Sequence, residues 1–135
     1  MSEQNFQQRG PMRVARKYLT CGKFVDKTGT LVPVAVGGID GLGNTLSTIE
    51  VYFDSNGEWN FIQSLPSPLA FGTVTAINNR LLHLGGAENS AATSDVYIHN
   101  EETGWHLSNM QMLTERYRHI NLLVNRQDIG IYPGK

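Results

Sequence analysis

Few side chains in this sequence suit metal or nucleophile chemistry: one cysteine, Cys21, and four histidines, His83, His99, His106 and His119. A zinc or copper site needs several ligands converging on one point, with further groups orienting them. These histidines fall on four different expected strands, and no His-x-His or His-x-x-x-His spacing pairs two of them on one face. A lone cysteine rules out an internal disulfide and a cysteine-based cluster. The run Gly37-Gly38-Ile39-Asp40-Gly41-Leu42-Gly43 looks like a phosphate loop. A strand follows it rather than a helix, so no helix N-terminus would face the phosphate. No Gly-x-Ser-x-Gly and no paired-carboxylate motif occurs. The reading is of a non-enzyme, with no catalytic residue, cofactor or metal ligand assigned.

Two arginines recur in one context, Met12-x-x-x-Arg16 and Met112-x-x-x-Arg116. Such an arginine either faces a ligand or uses its planar fork to hold loop carbonyls; the second role is favoured here. Cys21 is expected as a small buried residue on an inner strand.

The elements that position these residues are short. Asp54-Ser-Asn-Gly57, Asn78-Asn79 and Glu101-Glu-Thr-Gly104 are turn signals that cut the chain into apolar pieces rich in β-branched and aromatic residues. No piece sustains a helical period for three turns. The expected strands are Val14–Cys21, Leu31–Val36, Thr48–Phe53, Glu58–Ile62, Ala70–Ile77, Leu81–Leu84, Asp95–His99, Trp105–Leu107, His119–Val124 and Ile129–Tyr132. That pattern predicts an all-β domain.

The pieces repeat. Gly37-Gly38 recurs as Gly85-Gly86 after 48 residues, Tyr52 as Tyr97 after 45, Gly57 as Gly104 after 47 and Trp59 as Trp105 after 46. The surroundings agree: VAVGG matches LHLGG, TIEVYFD matches SDVYIHN, and NGEWNF matches ETGWHL. A third strand opener, Pro66 to Ile77, keeps the strand character of the Arg16 and Arg116 segments but lacks the arginine. The expected organisation is a disordered lead at 1–11, a first repeat at 12–65, a second at 66–111 and the start of a third at 112–135. Glycine permits positive φ and close backbone approach at the strand end. The Tyr and Trp rings bury apolar area between neighbouring sheets while their polar tips find partners.

This order of Gly-Gly, Tyr and Trp resembles the kelch repeat, over about Met12 to Val124. The resemblance implies an incomplete kelch-type β-propeller of four-stranded antiparallel blades, used as a protein-interaction scaffold. In that family many members are ubiquitin ligase adaptors acting through a separate BTB domain, others bind actin, and one branch is the copper enzyme galactose oxidase. No BTB-like helical segment is present here, and two complete units do not close a ring. Where a third Gly-Gly strand is expected, the chain reads Asp128-Ile-Gly-Ile-Tyr-Pro-Gly-Lys135. The alternatives are a fragment of a copper enzyme and a short protein that self-associates into a ring through open blade faces.

The segments after each Gly-Gly, Ile39–Ser47 and Ala87–Ser94, differ while the strands around them match. Loops on a rigid scaffold concentrate binding residues. Asp40, Asn44, Glu88, Asn89, Ser90 and Thr93 are the candidate contacts for a protein partner. The net charge of −1 and scattered Lys and Arg give no case for nucleic acid. No apolar run approaches the roughly 20 residues of a membrane helix. The polar start MSEQNFQQRG lacks a signal-peptide core, which favours a cytoplasmic chain.

Overall fold

The computed structural model describes residues 7–119. Its first sheet holds β1 (Thr20–Val25), β2 (Leu31–Val36), β3 (Ile49–Phe53) and β4 (Glu58–Ile62) in chain order, all antiparallel. The second holds β5 (Thr73–Ile77), β6 (Arg80–Leu84), β9 (Asp95–Asn100) and β10 (Gly104–Gln111), likewise an antiparallel meander. Between β6 and β9 stands a two-stranded hairpin, β7 (Ala87–Glu88) and β8 (Ala91–Ala92). The described residues contain no helix, and the two sheets do not close a ring. They are two blades of an incomplete propeller.

Local chemistry sets the turns. Asp26 accepts the N–H groups of Thr28 (2.8 Å) and Thr30 (3.0 Å), closing the β1–β2 hairpin. Asn78 and Asn79, with φ of 48° and 60°, form the two-residue β5–β6 turn in the left-handed region that asparagine tolerates. Asn100 accepts from the N–H groups of Glu102 and Thr103 and shapes the β9–β10 turn.

The core lies between the sheets. One face of the first presents Val32, Val34, Val36, Ile49 and Val51, and the second meets it with Val74, Leu81, Tyr97 and Trp105. Strand alternation does the sorting: along β1, Thr20, Gly22 and Phe24 are half-buried while Cys21, Lys23 and Val25 are exposed. β1 and β5, the first strands of the two blades, lie side by side; a Cβ on Gly22 would come within 2.7 Å of a Val74 methyl carbon.

Several expectations are corrected. β1 does not span Val14–Cys21 but starts at Thr20, because Lys17 forms a bridge with Ile39 and Tyr18 adopts a left-handed φ of 57°. Cys21 is exposed rather than buried, since it sits on the side of β1 turned away from the second blade. β10 runs on to Gln111 through a register shift after Leu107. Ala87–Ser94, expected as an open loop, contains the β7–β8 hairpin. Of the expected strand His119–Val124 only His119 is described, outside any strand, and Ile129–Tyr132 lies outside the described residues.

Candidate functional site

Each blade is built around its Gly-Gly pair. Gly37, Gly38, Gly85 and Gly86 have φ of 61°, 98°, 60° and 102°. The second glycine of each pair donates its N–H forward to the segment leading into the next blade: Gly38 to the Leu69 carbonyl and Gly86 to the Arg116 carbonyl, both at 2.9 Å. It is also pressed against its own blade's lead-in. A Cβ on Gly38 would lie 2.7 Å from the Lys17 carbonyl oxygen, and one on Gly86 2.8 Å from that of Ala70. Lead-in and strand end are then laced together, Lys17 with Ile39 and Ala70 with Ala87, by paired N–H···O=C bonds.

The segments after the glycines emerge at the same end of the two blades. Asp40 accepts from the N–H groups of Leu42 and Asn44 at 2.9 Å each and from the Asn44 side chain at 3.0 Å. These hydrogen bonds, the side-chain one foremost, hold its carboxyl below the usual carboxylate range. In the second blade Glu88 lies on β7, and Asn89 and Ser90 make the β7–β8 turn with φ of 47° and 73°. The Thr93 hydroxyl accepts from the Asp95 N–H at 3.1 Å. Asp40 and Asn44 are thus brought together in one turn, and Glu88, Asn89, Ser90 and Thr93 in one hairpin.

Of the markers, Tyr97 and Trp105 are buried between the blades. Tyr52 is buried and Trp59 half-buried on the opposite face of the first blade, their rings 5.6 Å apart. The lead-in residue Arg13 donates from its Nε to the Trp59 carbonyl at 2.7 Å.

Arg16 lies deep beside them. Its Nη1 donates to the carbonyls of Gly37 (2.8 Å) and Thr48 (2.9 Å), and its Nη2 meets Glu50 Oε1 at 2.6 Å. Glu50 also accepts the Arg13 and Val14 N–H groups. Arg16 is therefore a fork holding loop carbonyls. Among the described residues the Arg116 side chain reaches the Thr114 carbonyl, at 3.4 Å.

A feature not legible as a site in the sequence is a ladder across the lead-ins. Tyr18, Phe71 and Arg118 all have left-handed φ, at 57°, 60° and 55°. Phe71 donates its N–H to the Tyr18 carbonyl and Arg118 donates to that of Phe71. The Tyr18 and Phe71 rings stack at 4.5 Å, and the Arg118 guanidinium lies 4.7 Å from the Phe71 ring centre. The signal was present: each stands two residues after Arg16, Leu69 or Arg116.

The histidines stay apart in role. His83 is buried on β6, and burial pushes its pKa down to about 4, aided by the nearby His119. His99 packs at 5.2 Å from Trp105, and His119 shares a 3.1 Å hydrogen bond with Thr73. No three His, Cys, Asp or Glu side chains converge as a ligand set among the described residues. No described helix is long and apolar enough to cross a membrane.

Comparison with known proteins adds one likeness. No family model matches the chain. Alpha-scruin of Limulus polyphemus is 31% identical over 86 residues, which are 64% of this chain and 9% of that protein. The chain thus corresponds to a small part of the curated relative it matches.

Proposed function

We propose that this chain is part of a kelch-type protein-interaction scaffold that holds a partner protein through the segments following each Gly-Gly pair. The observation that carries the reading is one framework with two different edges. The Gly-Gly pairs, their lead-ins and their hydrogen bonds match between the blades, while Asp40–Asn44 makes a side-chain-capped turn and Glu88–Thr93 a hairpin. Such variation on a fixed scaffold is how binding loops differ. Asp40, Asn44, Glu88, Asn89, Ser90 and Thr93 are the proposed contacts.

The test is an exchange of segments. Replacing both Gly-Gly segments by Gly-Ser linkers should abolish capture of a partner. Replacing the turns at the other end of the blades, Asp54–Gly57 and Glu101–Gly104, should leave it intact. Loss of the partner only on changing those far turns would overturn the reading.

Self-association is a second reading. On the face of the second blade turned away from the first, Leu82 pairs with Ile98 and Leu84 with Val96; Leu82, Leu84 and Ile98 are half-buried, and the corresponding face of the first blade is buried.

A further inference from the structure

The contact between the two blades is a template for a second one. Within the chain the first blade presents the side that carries Gly22 and Val34, and the second meets it with the side that carries Val74 and Leu81. The Cβ position of Gly22 lies 3.8 Å from the Val74 Cβ. Register relates the blades residue by residue: Gly22 pairs with Val34 as Thr75 pairs with Leu82, and Cys21 with Ala35 as Val74 with His83. Thr75 is therefore the Gly22 of the second blade, and Cys21 is the Val74 of the first. Both stand on the faces left over. Cys21 is exposed beside Lys23, Val25 and Leu31, and Thr75 is half-buried beside Leu82. Side-chain sizes there shift in compensation. Thr75, Leu82 and Leu84 are larger than their counterparts Gly22, Val34 and Val36, while Cys21 and Pro33 are smaller than Val74 and Leu81.

The lead-ins obey the same correspondence. Leu65–Phe71 is tied to the first blade and its lead-in by backbone hydrogen bonds with Ser47, Leu46, Gly38 and Tyr18; Met112–Arg118 is tied to the second by the matching bonds with Ser94, Thr93, Gly86 and Phe71. The side chains differ. Leu65 and Leu69 are 4% and 3% exposed, whereas Met112 is half-buried and Arg116 exposed. Among the described residues, the third lead-in is thus held by its backbone with little apolar burial. Met12–Tyr18 has the same Met-x-x-x-Arg spacing and offers the same backbone groups.

We propose that a second copy of this chain docks the Cys21 side of its first blade on the Thr75 side of the second blade, its Met12–Tyr18 taking the place of Met112–Arg118. The inference rests on the self-association reading above and assigns the faces that meet. It continues an interface the chain already contains, since the lead-in ladder passes from Tyr18 through Phe71 to Arg118 on the far side of the second blade. In the exchange like bonds replace like, and the incoming segment arrives with Arg16 already paired to its own Glu50. In a repeat protein each unit touches only its neighbours, so one such contact serves equally within a chain or between chains.

Thr75→Cys tests this with the native Cys21 as its partner. The two positions lie on opposite sides of one chain, so a disulfide between them joins two chains, and the 3.8 Å Cβ separation of the template suits that bond. Under mild oxidation with glutathione, Thr75→Cys should give covalent multimers larger than dimers. The native chain and Thr75→Cys/Cys21→Ser, with one cysteine each, should give none. Adding Arg116→Pro, which deletes the N–H given to the Thr93 carbonyl, should loosen the third lead-in and raise the yield of multimers. Absence of multimers from Thr75→Cys would overturn the arrangement, and a yield unchanged or lowered by Arg116→Pro would overturn the exchange of lead-ins. If Thr75→Cys does not fold, Cys21→Glu decides: it should lower the sedimenting mass of the native chain, and an unchanged mass would overturn the proposal. A native chain that sediments above one chain's mass, with no multimers from Thr75→Cys, would leave self-association standing and remove these faces alone; a monomer would remove both.

Discussion

Arg16 and Glu50 meet at 2.6 Å with neither side chain exposed to solvent, although 34 residues separate them in the chain. Breaking such a pair from one side leaves an unpaired charge without water. Arg16→Leu is expected to cost about 3–5 kcal/mol of stability. The double variant Arg16→Leu/Glu50→Leu should recover part of this, but not all, because the Arg13 and Val14 N–H groups would then lose their acceptor. Urea unfolding of the three chains measures it; a single variant as stable as the parent would show that the pair holds nothing.

Gly86→Val should damage folding far more than Ala92→Val. At Gly86 a side chain must tolerate φ of 102° with its Cβ 2.8 Å from the Ala70 oxygen, whereas Ala92 is on β8, where a β-branched residue fits. The backbone strain alone is on the order of 1–3 kcal/mol. Equal melting temperatures would place the Gly-Gly contact elsewhere.

Acid should destabilise the fold through His83. Its folded pKa of about 4 lies below the ordinary 6.5, so between these values the unfolded chain binds the proton and the folded chain does not. Stability is then fully present above about pH 6.5 and falls as pH drops toward 4, by an amount on the order of 2–3 kcal/mol. His99 and His119, also shifted down by burial, act in the same sense. Melting curves across this range should fall less steeply for His83→Leu; an unchanged slope would assign the acid sensitivity to other groups.

The outward faces predict association. Leu82, Leu84 and Ile98 are half-buried apolar side chains on one side, and Leu31 and Phe61 are exposed on the other. Sedimentation should give a mass above the 15.0 kDa of one chain. Leu82→Glu/Ile98→Glu should shift it downward. A sharp monomer boundary with a cooperative thermal transition would refute both the open-face account and the self-association reading.

The sequence carried the repeat and most of the strands because their determinants are local. β2 and β4 match the expected Leu31–Val36 and Glu58–Ile62 to the residue, being apolar alternations closed by Gly-Gly or by an Asn-Gly turn. β1 was misplaced because what bends Val14–Leu19 out of a strand is nonlocal: Arg16 bonds to groups 21 to 34 residues away. β7 and β8 are Ala-Glu and Ala-Ala, with no strand propensity to read, and form because Asn89 and Ser90 turn and Ala87 pairs with Ala70. The missing arginine of the second repeat was visible as a gap in a pattern. In the structure Leu69 stands in that place and packs into the core between the blades.

The lead-in ladder has a polarity. In both of its links the later repeat gives the N–H and the earlier one supplies the carbonyl, Phe71 to Tyr18 and Arg118 to Phe71. A unit joining in the same manner must therefore arrive head to tail, since a two-fold mate would set donor against donor. Assemblies of this kind grow in one direction until they curve back on themselves, and a repeat whose curvature does not divide a full circle yields a filament instead.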